Sequence, residues 1–253
     1  MNSYSAMDFD AHIAALKVKP GAKIIVHSRL ISFGKIEGGV QTVYKSLRRA
    51  IGQNGTLVVP TYTMNLSETD VFKRCSTPSF GVGALSEHIR TLEGAIRSRC
   101  PIHSHAAVGP DAEILLTSDE STSIGAGSDF DLLHQNGFEL LLLGCSFHEG
   151  ATFIHHVEAK VGTPYREWIK LDRCIGELEV ERKIEVNYYA KAEGCDLENN
   201  LHAVESDVTR RQLAKFAPVG SSGRYSYLLS LDNLENSVAS LLKSDPYSLV
   251  RHP

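Results

Sequence analysis

Residues 22–60 read AKIIVHSRLISFGKIEGGVQTVYKSLRRAIGQNGTLVVP, and this stretch decides the fold. The apolar run at 22–27 predicts a buried strand, and the amphipathic stretch at 40–51 predicts a helix that stops at Gly52. A second strand is predicted at 56–60. A strand, a helix and a strand in this order predict a right-handed βαβ unit with parallel strands. We therefore expect an α/β fold.

The rest of the chain adds further elements to this unit. Helices are predicted at 8–18, 82–92, 204–216 and 232–243, and strands at 106–109 and 140–143. Residues 176–190 alternate apolar and polar side chains, as an antiparallel hairpin does. We expect residues 1–253 to form a single α/β domain, with a mixed central sheet flanked by helices and a C-terminal antiparallel hairpin region. The pattern defines residues 170–253 least sharply.

Composition narrows the possible partners. The chain has 26 Lys and Arg against 30 Asp and Glu, for a net charge of −4, and no basic run suggests a nucleic-acid partner. No apolar run is long enough to cross a bilayer, and residues 1–5 lack the pattern of a signal peptide. The five cysteines are scattered without a CxxC pair, which is typical of reduced thiols. We expect a cytoplasmic protein without nucleic-acid or membrane partners, and a homo-oligomer stays open.

The strongest candidate for catalysis lies at residues 152–158, TFIHHVE, which follow an apolar run at 139–144. On a helix, Thr152, His155 and Glu158 fall along one side, so His155 faces the carboxylate while His156 points elsewhere. Catalytic groups of α/β sheets collect just after the C-terminal ends of strands. An imidazole held by a carboxylate suits a general base. A local ion pair without a catalytic role also fits this spacing.

Two other segments have the composition of an anion site. The loop at 28–39 lies between a strand and a helix, and such loops offer free N–H groups and a positive helix end. Residues 97–105, RSRCPIHSH, place two arginines beside a proline-containing loop, and Arg side chains match phosphate oxygens. Each segment is also compatible with an ordinary polar loop.

The cysteine and histidine content leaves two further interpretations. Cys145 follows the apolar run at 139–144 and stands where a nucleophile would, although His148 breaks the GxSxG pattern. A buried thiol after a strand more commonly serves packing. His103, His105, His155 and His156 show no metal-binding spacing, so no metal is expected.

Several segments, taken together and in order, resemble the aminoglycoside N3-acetyltransferase family. They are His27-Ser28 with 38–43, then 55–61, 83–87 with Arg90, Arg97-Ser98 with 101–104, 107–109, and 141–144 with Thr152-x-x-His155-x-x-Glu158. The order and approximate spacing agree from about residue 20 to residue 166, and the tail beyond residue 166 matches poorly.

This resemblance implies an acetyl-CoA-dependent N-acetyltransferase that acts on a small-molecule amine, an aminoglycoside or another amino sugar. It implies direct transfer without a metal, with His155 as the general base and Glu158 holding it. Thr152, with the loops near Ser104, would assist at the thioester carbonyl. The residues implied in binding the pantetheine and phosphates of CoA are Ser28, Arg29, Leu30, Ser32, Gly34, Arg97, Ser98, His103 and Ser104.

The chain departs from the family pattern at two positions. Cys100 stands where the family usually has a histidine before the proline, and Arg29 interrupts a loop that usually contains Ser-Ser-Leu. Either change alters the cofactor contact or the acceptor. The alternatives are an amino-sugar N-acyltransferase in surface-polysaccharide biosynthesis, a Cys/His hydrolase, and a non-catalytic relative that binds CoA or a sugar.

Overall fold

A computed structural model describes residues 3–177 and 180–252. The strands in this part of the chain are β1 (Ser3–Tyr4), β2 (Lys23–Ser28), β3 (Lys35–Ile36), β4 (Thr56–Pro60), β5 (Val71–Lys73), β6 (Ile96–Arg97), β7 (His105–Val108), β8 (Glu139–Leu143), β9 (Arg166–Glu177), β10 (Val180–Lys191), β11 (Glu198–Asn199), β12 (Lys215–Pro218), β13 (Tyr225–Ser230) and β14 (Val250–Arg251). The α-helices are α1 (Ala6–Ala15), α2 (Gly39–Ile51), α3 (Ala84–Arg90), α4 (Asp129–Gln135), α5 (Phe147–Gly150), α6 (Phe153–Val161), α7 (His202–Arg210) and α8 (Leu231–Ser244). Short 3-10 helices occupy Leu30–Phe33 and Ala112–Leu116.

The central sheet has seven strands in the order β12-β13-β8-β2-β4-β7-β6. Its middle strands β8, β2 and β4 run parallel, whereas β13 pairs antiparallel with β8, and β7 pairs antiparallel with β4. The three parallel strands are buried along most of their length, and their buried residues are mainly apolar, as in strands covered on both faces. The expected α/β fold with a mixed central sheet is therefore confirmed.

Helices cover both faces of this sheet. Ile24 and Val26 of β2 point into one core with α1, α2 and α3, whereas Ile25 points into the opposite core with α4 to α8. This alternation follows from the two-residue period of a strand. The predicted unit at 22–60 is present, since α2 connects β2 to β4 and these strands pair in parallel.

The C-terminal third differs from its sequence pattern in two places. The antiparallel hairpin is longer than the alternating stretch at 176–190, because β9 already begins at Arg166 and pairs along its length with β10. Leu178 and Glu179 lie outside the described residues. The helix predicted at 204–216 ends at Arg210 because Gln212 adopts a positive φ of 55°, and residues 215–218 form β12 instead.

Candidate active site

A cleft opens at the carboxyl ends of the parallel strands. Its walls include His27 and Ser28 at the end of β2, Pro60 and Tyr62 at the end of β4, and Cys145 after β8. The cavity volume is about 770 Å³. Strand β2 is flanked by β8 on one side and β4 on the other, so the chain leaves β2 where the strand order changes direction. Ligand sites of α/β sheets form at such positions.

The connection after β8 leads directly to the catalytic candidates. The short helix α5 packs so closely on the strand ends that a Cβ on Gly150 would lie 3.0 Å from side-chain atoms of His27, Leu142 and Cys145. Thr152 then occupies the N-cap of α6 and lines the cleft. Glycine at 150 therefore lets α6 start at the edge of the cleft.

His155 and Glu158 make the contact that their spacing predicts. The distance from His155 Nδ1 to Glu158 Oε2 is 2.5 Å, the imidazole is 21% exposed, and the carboxylate is fully buried. His156 points away, since its ring is buried and its Nδ1 accepts a hydrogen bond from the N–H of Gly125 at 3.3 Å. Of the two adjacent histidines, His155 is the one placed against an acid.

Glu158 has two further partners beyond the helix. The Tyr165 hydroxyl donates to Oε1 at 2.6 Å, and Arg166 Nε lies 2.9 Å from Oε2 in an ion pair. Burial pushes the pKa of Glu158 upward, but the hydrogen bond from His155, the charges of His155 and Arg166, and the Tyr165 hydroxyl outweigh it, so its pKa is lowered. The carboxylate therefore remains ionised at neutral pH.

This environment defines which nitrogen of His155 can act. Because Nδ1 lies 2.5 Å from an ionised oxygen that can only accept, Nδ1 carries the proton in neutral imidazole and Nε2 keeps its lone pair. Arg166 Nη2 also lies 3.1 Å from Nδ1 and 3.2 Å from Asn199 Oδ1, and its positive charge stabilises the same carboxylate. His155 therefore has a free lone pair on Nε2 and a ring that is held in one orientation.

The loop after β2 is divided between two cavities. Ser28, Arg29 and Leu30 line the cleft. Ser32 is buried, and its hydroxyl donates to the carbonyl of Gly144 at 2.6 Å, so it holds the loop against the end of β8. Gly34 lines a separate cavity instead. Only the first part of the predicted cofactor loop faces the candidate site.

Arg97 serves the fold, and the structure gives it no place at a phosphate. Its Nε contacts the hydroxyls of Thr61 and Ser104, at 3.0 and 3.1 Å, while its Nη atoms donate to the carbonyls of Arg74, Thr77 and Thr61. Burial lowers its pKa to about 10, which still leaves the group charged. The expectation that Arg97 binds CoA phosphates is therefore not supported, because its donors are occupied within the protein.

The neighbours of Arg97 are also directed inward. Ser104 is fully buried and donates to the carbonyl of Thr61 at 2.8 Å, and the buried Ser98 hydroxyl donates to Asp129 at 2.5 Å. His103 packs against Tyr62 with ring centroids 4.8 Å apart. Burial lowers the pKa of His103 to about 3, so the ring is neutral. None of these three side chains lines the cleft.

The thiol of Cys145 is unsuited to nucleophilic attack. Burial foremost, and then the charge of Glu149, raises its pKa to about 12, and the thiol donates to the carbonyl of His27 at 3.4 Å. A nucleophilic cysteine needs a thiolate near neutral pH. The hydrolase alternative therefore finds no support in this geometry.

Tyr165, Arg166 and Asn199 are the functional candidates that local sequence patterns do not reveal. They lie on the loop after α6, at the start of β9 and in β11. Tyr165 contacts Glu158, Arg166 contacts both Glu158 and His155, and Asn199 accepts a hydrogen bond from Arg166. Across residues 3–177 and 180–252, no three His, Cys, Asp or Glu side chains are grouped to hold a metal ion. The same residues contain no helix of the length and apolarity needed to cross a membrane.

Sequence comparison places residues 25–239 within the family described as aminoglycoside 3-N-acetyltransferase. Aminoglycoside N(3)-acetyltransferase III of Salmonella sp is 32% identical over 175 residues, which cover 62% of this chain and 61% of the relative. Aminoglycoside N(3)-acetyltransferase VIII of Streptomyces fradiae is 30% identical over 192 residues, which cover 64% and 63%. The chain thus matches less than two thirds of the length of these curated relatives.

Solved structures share the fold along almost the whole chain. Aminoglycoside acetyltransferase AAC(3)-Xa superposes with a TM-score of 0.85 at 21% identity and covers 96% of this chain and 94% of its own. AAC-IIIb, in a binary complex with CoASH, gives a TM-score of 0.84 at 18% identity, with 96% and 97% covered. At these identities the similarity shows a common fold.

Proposed function

Because the chain belongs to the aminoglycoside 3-N-acetyltransferase family, we propose that it transfers the acetyl group of acetyl-CoA to an amino group of an aminoglycoside or a related amino sugar. The observation that carries the proposal is the contact between His155 and the buried, ionised Glu158, one helical turn beyond Thr152 at the cleft. An imidazole held in this way suits a general base, which a chain that only binds a sugar does not require.

His155 acts as the general base. As the acceptor nitrogen bonds to the thioester carbonyl carbon, its proton passes to Nε2 and a tetrahedral intermediate forms. The C–S bond then breaks, and the departing sulfur of CoA takes the proton back from the imidazolium and leaves as a thiol. The imidazolium formed in this step lies against Glu158, whose negative charge stabilises it. Arg166 and Tyr165 keep that carboxylate ionised and fixed.

Acetyl-CoA supplies the activated acetyl group as a cosubstrate, and the cleft has the character that its pantetheine arm requires. The walls combine apolar side chains with a few polar groups, and Met64 and Phe80 remain 41% and 58% exposed at the cleft. Ser28, Arg29 and Leu30 are the residues we assign to the cofactor. The Arg29 side chain forms an ion pair with Glu149 at 3.2 Å. Because 40% of this side chain is exposed, its charge is still accessible to a phosphate.

Aminoglycosides are the acceptors we propose. Among proteins of the same fold, a mutant of aminoglycoside acetyltransferase AAC(3)-IVa was crystallised with a gentamicin and AAC-VIa was crystallised with sisomicin. The curated relatives carry the same activity in their names. No metal takes part in the mechanism, because a thioester is already activated and needs only an oriented amine.

The acceptor class is tested by following CoA release with a thiol reagent. Purified protein and acetyl-CoA are mixed with gentamicin, sisomicin, a nucleotide-linked amino sugar or no amine, and the product mass is determined. Release that depends on gentamicin or sisomicin, with a mass increase of one acetyl group, supports the proposal. Transfer to the nucleotide sugar alone would favour a role in polysaccharide biosynthesis, and release without any amine would indicate thioester hydrolysis.

A further inference from the structure

A second cavity adjoins the cleft on the side of α5. Its volume is about 460 Å³, and Cys145 and Glu149 line both cavities. The rest of its wall comes from the segment around the start of β13 and from the start of α7. The chemistry at His155 does not use this second cavity, so its charged wall calls for an explanation of its own.

Glu149 lies between two arginines at the junction of the two cavities. Its Oε1 is 3.2 Å from Nε of Arg29 in the cleft wall, and its Oε2 accepts a hydrogen bond at 2.7 Å from Nη1 of Arg224 in the wall of the second cavity. Burial acts to raise the pKa of Glu149, but the hydrogen bonds from Ser146 and Arg224 outweigh it, so its pKa is lowered and the carboxylate is ionised at neutral pH. Two guanidinium charges against one carboxylate leave this junction positive.

The two arginines keep donors that the protein does not use. Among the described residues, the contacts of Arg29 engage Nε and Nη1, and those of Arg224 engage Nη1 alone. Their side chains are 40% and 36% exposed, so the remaining N–H groups are accessible to a ligand. Guanidinium groups with free N–H donors match the oxygens of phosphate. In this respect the pair differs from Arg97, whose donors are occupied by carbonyls and hydroxyls.

The ion pair on the cleft side depends on a residue particular to this chain. Arg29 interrupts the loop in which the family pattern usually contains Ser-Ser-Leu. A serine carries no charge and cannot form an ion pair with Glu149. The two arginines around one carboxylate are therefore not part of that pattern.

The wall of the second cavity also suits a purine base. Tyr225 lines this cavity and is 42% exposed, with its ring held edge-on by Phe216 at 5.8 Å between centroids. Aromatic side chains of this kind offer a surface on which a base stacks. The other carboxylate of the wall, Glu205, accepts the Tyr227 hydroxyl at 2.7 Å.

We propose that Arg224 acts with Arg29 on the phosphates of acetyl-CoA, and that the second cavity takes the nucleotide end of this cosubstrate. The inference rests on the proposed function for the identity of the cosubstrate, and it adds a binding residue from the C-terminal third of the chain. Glu149 holds the two guanidinium groups on either side of the junction, and its charge weakens their attraction for the phosphates.

Arg224→Ala tests this assignment by binding, without any need for turnover. The probes are CoA and pantetheine, which lacks the phosphates and the nucleotide, and titration calorimetry gives the Kd of each. We expect the Kd of CoA to rise about fivefold to twentyfold, because a charge-assisted hydrogen bond to phosphate is lost. The ratio of the pantetheine Kd to the CoA Kd should fall by the same factor. The Kd of CoA should also depend less on NaCl concentration in the variant, since salt screens exposed charges.

Arg49 on α2 provides the matched control. Its side chain is 51% exposed and forms an ion pair with Asp10 at 2.7 Å, and the described walls of the two cavities do not include it. Arg49→Ala should leave the Kd of CoA within twofold of the native value. If Arg224→Ala changes the Kd of CoA no more than Arg49→Ala does, or changes the Kd of CoA and of pantetheine equally, the assignment of Arg224 is wrong.

Glu149→Gln tests the carboxylate between the arginines. Glutamine at this position can still form the capping box with Ser146, so the start of α5 keeps its cap. With the negative charge removed, CoA should bind at least twofold more tightly, and the gain should be largest at low ionic strength. Weaker binding of CoA to the folded variant would contradict the role given to Glu149.

The outcomes separate this inference from the proposed function. Reduced CoA affinity in Arg224→Ala, in a protein that acetylates no amine, would support the phosphate site and refute the proposed function. Acetylation of gentamicin by the native protein, with the Kd of CoA unchanged in Arg224→Ala, would refute the phosphate site and leave the proposed function intact.

Discussion

Glu158→Gln keeps the imidazole of His155 but removes the carboxylate that orients it, so this substitution tests orientation of the base separately from the base itself. In the native protein Glu158 Oε2 lies 2.5 Å from His155 Nδ1 and forms an ion pair with Arg166 at 2.9 Å. Its Oε1 accepts a hydrogen bond from Tyr165 at 2.6 Å. Glutamine replaces one acceptor by an NH₂ group. If that group faces His155, it donates to Nδ1 and moves the imidazole proton to Nε2, where it blocks uptake of a proton from the amine.

The size of the effect follows from these contacts. Loss of positioned base catalysis lowers kcat by about 10²–10⁴-fold. Removing the charge also leaves the Arg166 guanidinium, whose side chain is 6% exposed, without its counter-ion. Breaking a buried pair in this way costs about 3–5 kcal/mol of stability. Because some orientation survives, the loss in kcat should be smaller than in His155→Ala.

The stability deficit of Glu158→Gln should depend on pH. The native pKa of Glu158 lies below its ordinary value, so the ionised carboxylate stabilises the fold at pH values above about 4.3, the ordinary range of Glu. That contribution is lost as pH falls through the native pKa. Urea unfolding at pH 7 should therefore show a larger difference between variant and native protein than unfolding at low pH.

Asp207→Asn is the matched control for Glu158→Gln. Asp207 is a buried carboxylate on α7 that accepts from Ser237 at 2.7 Å and Arg211 at 3.0 Å, and it does not line the cleft. This variant should lose stability and keep kcat within twofold, as measured by CoA release with gentamicin. If folded Glu158→Gln protein kept kcat within threefold of the native value, the assigned role of the carboxylate would be wrong.

Three further predictions address the surroundings of the site. Tyr165→Phe removes one buried hydrogen bond to the carboxylate and should cost about 1–2 kcal/mol in urea unfolding but less than tenfold in kcat. Arg97→Met should lower the free energy of unfolding by several kcal/mol, while the KM of acetyl-CoA stays within threefold. Arg29→Ala should instead raise that KM at least fivefold with little effect on stability. The reverse pattern would show that Arg97, and not Arg29, binds the phosphates. Iodoacetamide at pH 7 should alkylate the exposed Cys75 and spare Cys145, whose thiol pKa is about 12, and mass spectrometry showing the opposite order would reopen the nucleophile hypothesis.

The part of the fold predicted from sequence is the part specified by local patterns. The apolar strands and amphipathic helix of residues 22–60 could be predicted from their periodicity alone. The contact of His155 with Glu158 could be predicted from the geometry of one helix. A strand at Tyr225–Ser230 was not predicted, although its aromatic and aliphatic residues are typical of one. No local signal marks the end of α7, where Gln212 adopts a positive φ of 55° although it is not a glycine.

The features of the site that local patterns do not predict have a common physical origin. Arginine is a residue type that commonly binds phosphate, so the sequence makes Arg97 a candidate. Only the structure shows that Arg97 is buried and that its guanidinium donates to neighbouring carbonyls. Tyr165 and Arg166 follow α6 in sequence, but their contact with Glu158 depends on the turn into β9. Residue types predict which chemistry is available, whereas the tertiary fold decides which groups remain free to perform it.

The proposed function requires that the imidazole of His155 removes the proton of the acceptor amine. The direct measurement compares His155→Ala with the native protein in two assays, amine-dependent CoA release and acetyl-CoA affinity by titration calorimetry. We predict that kcat falls by at least about 10²-fold while the Kd of acetyl-CoA stays within threefold. A variant that binds acetyl-CoA and still turns over gentamicin at the native rate would contradict the claim.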